Sequence, residues 1–209
     1  MRALNDCRLY GILDLGYVDP ADVERVTSSM IEGGVDLIQL RAKKSSVAET
    51  VDLAAKLHKL TNAAGIPMVI NDHAEVAAEV AVEGVHVGQE DDSLEAAREK
   101  AKRAIIIGKS THSFDQAIGA ESEGADYIGF GPVFATPTKP DYKPTGLDDI
   151  KRVHDAVGLP IFCIGGIKID NLGEVIAAGA KRVAIVSGLL KARDIAKYAR
   201  ACKALLSPE

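Results

Sequence analysis

Tryptophan is absent from this chain of 209 residues, and aromatic residues amount to only 4% of it. A core of large rings is therefore excluded, and the 47% of hydrophobic residues must work through Val, Ile, Leu and Ala. That supply suits buried parallel strands covered by Ala-rich helices. Cysteine is scarce as well. Cys7, Cys163 and Cys202 have neither metal-ligand spacing nor the pattern of a disulfide framework. There is no excess of basic charge, since the formal net charge is −5. A nucleic-acid-binding surface, which needs a basic stripe, is not expected. No apolar run is long enough to cross a bilayer, and no basic-then-apolar leader opens the sequence. The expected setting is a reducing cytoplasm, with no membrane and no nucleic acid among the partners. No pattern fixes the oligomeric state, and a homo-oligomer stays open.

What is present is an alternation. Short β-like runs at Arg8–Asp14, Val35–Leu40, Met68–Ile70, Gly84–Val87, Ile105–Ile107, Tyr127–Phe130, Ile161–Ile164 and Arg182–Val186 are each followed by an amphipathic helical stretch. The first of these helices is announced by Asp19-Pro20, Pro being favoured at a first helical position. Strict alternation implies right-handed βαβ crossovers and a parallel sheet. Eight units in this length predict one closed (β/α)₈ TIM barrel spanning residues 1–209. Four helix-to-strand connections share a phrase: Gly33-Gly34-Val35-Asp36, Glu83-Gly84-Val85, Gly124-Ala125-Asp126 and Gly179-Ala180-Lys181. They read as glycine C-caps on the N-terminal face of the barrel. The one long connection runs from Gly131 to Gly146 and is rich in proline.

In such a barrel the chemistry sits just beyond the strands. The positions there are Gln39, Arg41 and Lys43; Asn71 and Asp72; Gln89, Glu90 and Asp91; Ser110 and His112; Thr136, Thr138 and Lys139; Gly165 and Gly166; and Ser187. Arg41, Lys43 and Lys139 are cations suited to phosphate oxygens. Asp72 and Asp91 come from neighbouring loops. Two carboxylates beside three cations suggest a hydrated Mg²⁺ shared with a diphosphate. A surface network of ion pairs is the plain alternative. Ile164-Gly165-Gly166-Ile167 and Val186-Ser187-Gly188, after strands seven and eight, suggest a second anion site lined by backbone N–H groups. Ser110 reads as a hydrogen-bonding contact rather than a nucleophile, because no acidic orienter lies nearby in sequence. His86 reads as a satisfied interior residue, and His112 stays open.

The segments Gln39-Leu-Arg-Ala-Lys43, Val69-Ile-Asn-Asp72, Gly84-Val-His-Val-Gly-Gln-Glu-Asp91, Ser110-Thr-His-Ser113, Asp126 to Lys139, Ile164-Gly-Gly-Ile167 and Val186-Ser187 together resemble the thiamine phosphate synthase family. The resemblance runs from the first strand to the eighth. It implies Mg²⁺-assisted departure of diphosphate from 4-amino-2-methyl-5-hydroxymethylpyrimidine diphosphate, through a carbocation that the ring nitrogen of a thiazole phosphate then captures. It implies one Mg²⁺ per site on Asp72 and Asp91. It places Gln39, Arg41, Lys43, Asn71 and Lys139 at the pyrimidine diphosphate, with Leu40 and Ala42 in the same segment, and Ser110 at the pyrimidine or the leaving group. It places Thr136, Thr138, Gly166, Val186 and Ser187 at the thiazole phosphate, with Pro137 between the two threonines. Arg41, Lys43, Ser110 and Lys139 are the catalytic set so implied.

Four positions depart from the family pattern: the first strand Tyr10-Gly-Ile-Leu-Asp14, Ala42, His73 and Lys109. Lys109, beside Ser110, is expected to alter the local field. Related readings are a thiazole tautomerase using His112 as a proton shuttle, a non-catalytic barrel that binds thiazole phosphate, and a phosphate-binding barrel enzyme of another pathway. The combination of Arg41, Lys43, Asp72, Asp91 and Lys139 speaks against the first of these.

Overall fold

The computed structural model describes residues 1–103, 105–136 and 143–206. Eight strands close in sequence order into one barrel: β1 Leu9–Asp14, β2 Leu37–Arg41, β3 Met68–Asn71, β4 Gly84–Val87, β5 Ile106–Thr111, β6 Tyr127–Phe130, β7 Ile161–Ile164 and β8 Val183–Ile185. All neighbours are parallel, and β8 pairs back onto β1 through Leu9–Val183, Tyr10–Ala184 and Gly11–Ile185. The intervening helices are α1 Val23–Glu32, α2 Val47–Ala63, α3 Ala74–Val80, α4 Leu94–Ala101, α5 Phe114–Ser122, α6 Asp148–Ala156 and α7 Ile169–Ala177. A four-residue helix α8, Ser187–Leu190, precedes the final α9, Ile195–Leu206. The predicted barrel is therefore observed, with α8 unforeseen. Among the described residues no helix is long and apolar enough to cross a membrane.

Local chemistry explains the helix starts. Asp19 accepts from the Ala21 N–H at 2.8 Å, and the chain enters α1 through a 3₁₀ turn at Pro20–Asp22. Ser46 and Glu49 form a reciprocal capping box on α2, while Ser93 and Ser113 cap α4 and α5. Each bond satisfies an N–H that the first turn of a helix leaves without a partner.

Strand alternation divides the apolar residues into two cores. Leu13, Ile38, Leu40, Ile70, Val85, Ile107, Ile128 and Cys163 face outward and pack against the helices. Tyr10, Ile12, Leu37, Val69, Tyr127, Phe162 and Ala184 fill the inside of the barrel. Lys109 also points away from the interior, where it forms an ion pair with Glu123. It is on the wrong face of β5 to touch the pocket, so the field effect expected of it does not arise by contact.

The N-terminal face is tied by carboxylates immediately before β2, β4 and β6. Asp36, 1% exposed, accepts from the Arg8 and Leu9 N–H groups at 2.9 Å and is paired with Arg2 and Lys203. Glu83 accepts from the Met68 N–H at 2.8 Å, and Asp126 from the Ile107 N–H at 2.7 Å. Each acid thus anchors the start of the preceding strand. Arg182 stands at the corresponding position before β8; β7 bonds there to its carbonyl, from the Cys163 N–H at 3.0 Å, while its guanidinium donates to the Asn5 carbonyl at 2.9 Å.

The shared glycine phrase needs one correction. Gly34, Gly124 and Gly179 occupy positive φ at their connections, but Gly84 does not. It lies within β4, where an added Cβ would stand 2.7 Å from the Ile106 carbonyl oxygen. The left-handed residue after α3 is Ala81, at φ 63°. A Cβ makes that conformation unfavourable. Ala81→Gly should therefore stabilise the protein by about 0.5–1 kcal/mol, the relief of strain exceeding the extra backbone entropy of glycine. Urea unfolding should show a higher midpoint at unchanged slope.

Candidate active site

The inward residues end in a pocket at the C-terminal mouth of the barrel. Tyr10, Ile12, Phe162, Ile164 and Ala184 contribute to its apolar floor and walls, while Gln39, Arg41, Asn71, His86, Ser110, His112, Thr136 and Ser187 bring polar groups. Gly129, Gly131, Gly165 and Gly166 keep side chains out of the opening. Tyr10, Tyr127 and Phe162 pack edge to face, with ring centroids 5.2–6.0 Å apart. Such contacts contribute about 0.5–1.5 kcal/mol per pair beyond burial. Three of the nine aromatic residues of the chain thus meet at the base of its cavity.

One side of the mouth is charged. The Arg41 guanidinium donates to Asp14 Oδ2 at 2.7 Å, across the register that pairs the last residues of β1 and β2. Asp14 also accepts from the Gly16 N–H at 2.9 Å, so the carboxylate is fixed before it fixes Arg41. The positions beyond the strands, counted from β2 onward, omit Asp14. An acid closing the first strand in register with Arg41 is the signal that finds it. Lys43 forms an ion pair with Asp72 and lies 4.0 Å from Asp91. Asp91 is turned inward by accepting from the Gly88 N–H at 2.8 Å. Asp72 sits at φ 66°, held there by its N–H to the His86 carbonyl at 2.8 Å. A non-glycine residue in that region costs about 1–3 kcal/mol and persists where surrounding structure imposes it. Burial raises the Asp72 carboxyl above the ordinary range, the hydrogen bond from Lys43 opposes this, and Asp91 adds to the rise.

Among the described residues no three His, Cys, Asp or Glu side chains converge as a closed metal cage. Two carboxylates brought together against their mutual repulsion, with a lysine between them, are nevertheless a fit for Mg²⁺. That ion is commonly held by one or two carboxylates, with waters and substrate phosphates completing the shell.

The other side of the mouth is backbone. Gly165 and Gly166 have φ of 99° and 68°, and a Cβ on either would stand 2.4 Å from Pro132 or 2.7 Å from Phe134 Cβ respectively. Asn171 pins this turn, donating to the Gly166 carbonyl at 3.1 Å and accepting from the Lys168 N–H at 2.8 Å. Loop six runs alongside, its Val133 and Phe134 N–H groups bonding to the Ile164 and Gly165 carbonyls at 2.8 and 2.9 Å. Val186 and Ser187 close the same rim.

Of the residues anticipated from the sequence, Gln39, Arg41, Asn71, Ser110, Thr136, Gly166, Val186 and Ser187 line this one pocket. Asp72, Asp91 and Lys43 form the adjoining cluster. Leu40 belongs to the outer core and Ala42 is buried, so neither side chain lines the pocket. Pro137, Thr138 and Lys139 lie outside the described residues. Ser110 and Arg41 prove to be strand residues rather than loop residues, because β5 and β2 extend to Thr111 and Arg41.

The thiamine monophosphate synthase family model matches residues 9–189, from the first strand to the helix after the eighth. The chain belongs to this family. Relatives named thiamine-phosphate synthase include one from Chloroflexus aurantiacus, 39% identical over 203 residues with 97% of this chain and 94% of the relative covered. Another, from Shouchella clausii, is 42% identical over 200 residues and covers 95% and 96%. The solved thiamine phosphate pyrophosphorylase from Pyrococcus furiosus superposes with a TM-score of 0.87 at 32% identity, covering 97% of this chain and 96% of that one. The architecture shared with that structure is the closed eight-stranded barrel.

The Asp72–Asp91 contact yields a measurable sign. Asp91→Asn removes a charge that raises the Asp72 carboxyl, so the Asp72 titration should move to lower pH. Carboxyl-carbon NMR across the acid range should record the shift. An unchanged midpoint would mean that the two side chains are not coupled in solution.

Proposed function

We propose that this chain joins 4-amino-2-methyl-5-hydroxymethylpyrimidine diphosphate to a thiazole phosphate, giving thiamine phosphate and diphosphate. The observation that carries the reading, beside family membership, is the division of one mouth into a charged half and a glycine-rich backbone half. Arg41, Lys43, Asp72 and Asp91 stand on one side, and the glycine-rich turns after β7 and β8 on the other, with a single pocket opening between them.

In this reading the methylene C–O bond breaks, the electron pair leaves with the diphosphate, and the thiazole nitrogen supplies the pair for the new C–N bond. Arg41, oriented by Asp14, and Lys43 bind the departing oxygens. Asp72 and Asp91 would hold Mg²⁺, which when bound supplies charge neutralisation to the leaving group. Gln39, Asn71 and Ser110 orient the pyrimidine, and Lys139 joins the diphosphate contacts from loop six. Thr136, Thr138, Gly166, Val186 and Ser187 hold the thiazole phosphate. Ile12, Phe162 and Ile164 keep water from the electron-poor methylene carbon. No protein nucleophile is required, which agrees with Ser110 being bonded to His86 rather than to a base–acid pair.

The test is incubation of the pure protein with both substrates and Mg²⁺, reading thiamine phosphate and released diphosphate. Isomerisation of the thiazole without coupling would overturn the proposal in favour of a tautomerase. Two variants refine it. Asp91→Ala should cripple turnover and reduce its dependence on Mg²⁺; near-normal kinetics would remove Asp91 from the site. Asp14→Asn should lower kcat/KM by about tenfold or more, the scale of a hydrogen bond to a charged group. Normal kinetics there would show that Arg41 needs no anchor.

A further inference from the structure

The inside of the barrel carries a line of hydrogen bonds whose middle members, Tyr10, Tyr127 and His86, the proposed reaction leaves without a task. Gln39 Nε2 donates to the Tyr10 hydroxyl at 2.5 Å; Tyr10 and Tyr127 hydroxyls are 3.0 Å apart; Tyr127 Oη lies 3.0 Å from His86 Nδ1; and His86 Nε2 lies 2.9 Å from Ser110 Oγ. The line begins at β2, crosses the barrel through β1, β6 and β4, and emerges at the pocket on β5. Burial pushes both phenols above their ordinary range, so each retains one proton to give.

Donor counting then sets a direction. An amide nitrogen only donates, so the Tyr10 oxygen accepts from Gln39, and among the described residues the Tyr127 oxygen is the acceptor within reach of the Tyr10 proton. The Tyr127 proton is left for His86 Nδ1. A neutral imidazole that accepts at Nδ1 carries its proton on Nε2, and that proton goes to Ser110 Oγ. Among the described residues Ser110 receives at its oxygen and has its own proton left for the cavity it lines. Were the Gln39 amide turned over, its carbonyl would face Tyr10 and every bond would reverse, making Ser110 a donor to His86 and an acceptor toward the ligand.

We propose that Tyr10, Tyr127 and His86 are positioning residues whose one-way hydrogen-bond relay, set by the Gln39 amide, makes the Ser110 hydroxyl a dedicated donor to an acceptor atom of the substrate. The recognised chemistry is a lone pair, a ring nitrogen or a diphosphate oxygen, and a ligand N–H at that point is rejected. The assignment of those two sources rests on the proposed function; the direction of the relay does not.

The direction is read on the full-length protein without substrate. Nitrogen-15 NMR of histidine-labelled protein, with the His86 signal identified by its loss in His86→Gln, should show a single tautomer protonated at Nε2. Tyr127→Phe and Tyr10→Phe should each turn it into a mixture, and Tyr10→Phe carries the same test if Tyr127→Phe fails to fold. A purely structural role for the tyrosines would leave the tautomer unmoved. Binding completes the test, with inorganic diphosphate and the unphosphorylated hydroxymethylpyrimidine as separate probes in calorimetry. Ser110→Ala and Tyr127→Phe should each weaken one probe by about fivefold or more, the size of one neutral hydrogen bond. The double variant should lose no more than Ser110→Ala alone. Loss confined to diphosphate identifies an oxygen acceptor, and loss confined to the pyrimidine a ring nitrogen. A proton on Nδ1 in the unaltered protein, or fully additive losses, would overturn the relay. Because neither readout needs product, failure of the coupling reaction would leave this result standing.

Discussion

Tyr127 can stand inside the barrel only because Gly108 faces it. A Cβ at position 108 would lie 2.1 Å from the phenol ring. One missing side chain on β5 thus admits one large side chain from β6, and much of the site follows from that exchange. The ring closes the aromatic cluster with Tyr10 and Phe162, which forms the base of the pocket. The hydroxyl joins the polar groups that rise from the cluster toward the mouth. The interior therefore changes from apolar to polar within the length of one tyrosine. Large and small residues on adjacent strands must interdigitate for a closed sheet to be filled at native density.

The barrel itself was legible because its signal is periodic. Helical stretches alternate with short apolar runs over the whole chain, and the glycine-containing connections mark the same turn of the backbone again and again. Strand ends were less legible. Ser110 and Arg41 are polar, and polarity was read as the end of a strand; inside a barrel mouth, the ladder continues beneath side chains that face a cavity. The apolar run includes Val186, whereas β8 stops at Ile185 and Ser187 opens a short helix. Nothing in an alanine announces the positive φ of Ala81; tertiary context imposes it.

The site was legible where its residues sit at strand ends and not where they sit deeper. Position after the strands picks out Arg41, Lys43, Asp72 and Asp91, which the structure brings to one side of the mouth. Tyr10 and Tyr127 lie inside apolar strands and carry no such mark, and Asp14, though it closes β1, escapes a count that starts at β2. Their roles depend on register, which joins Asp14 to Arg41 and brings hydroxyls from opposite walls together. His86 reads as a satisfied interior histidine, and both ring nitrogens do have partners. What the sequence could not show is that one of those partners borders the pocket.

The carboxylates of the N-terminal face tie β1, β3 and β5 to the connections that follow them, but β7 meets an arginine there instead. The pair formed by β7 and β8 also has the shortest register, Cys163–Val183 and Ile164–Ala184. That pair is the seam of the barrel. The glycine-rich turns at its far end belong to one half of the proposed binding face. An anion spanning them would bridge β7 and β8 and, by mass action, act as a clasp on the strand pair with the shortest ladder.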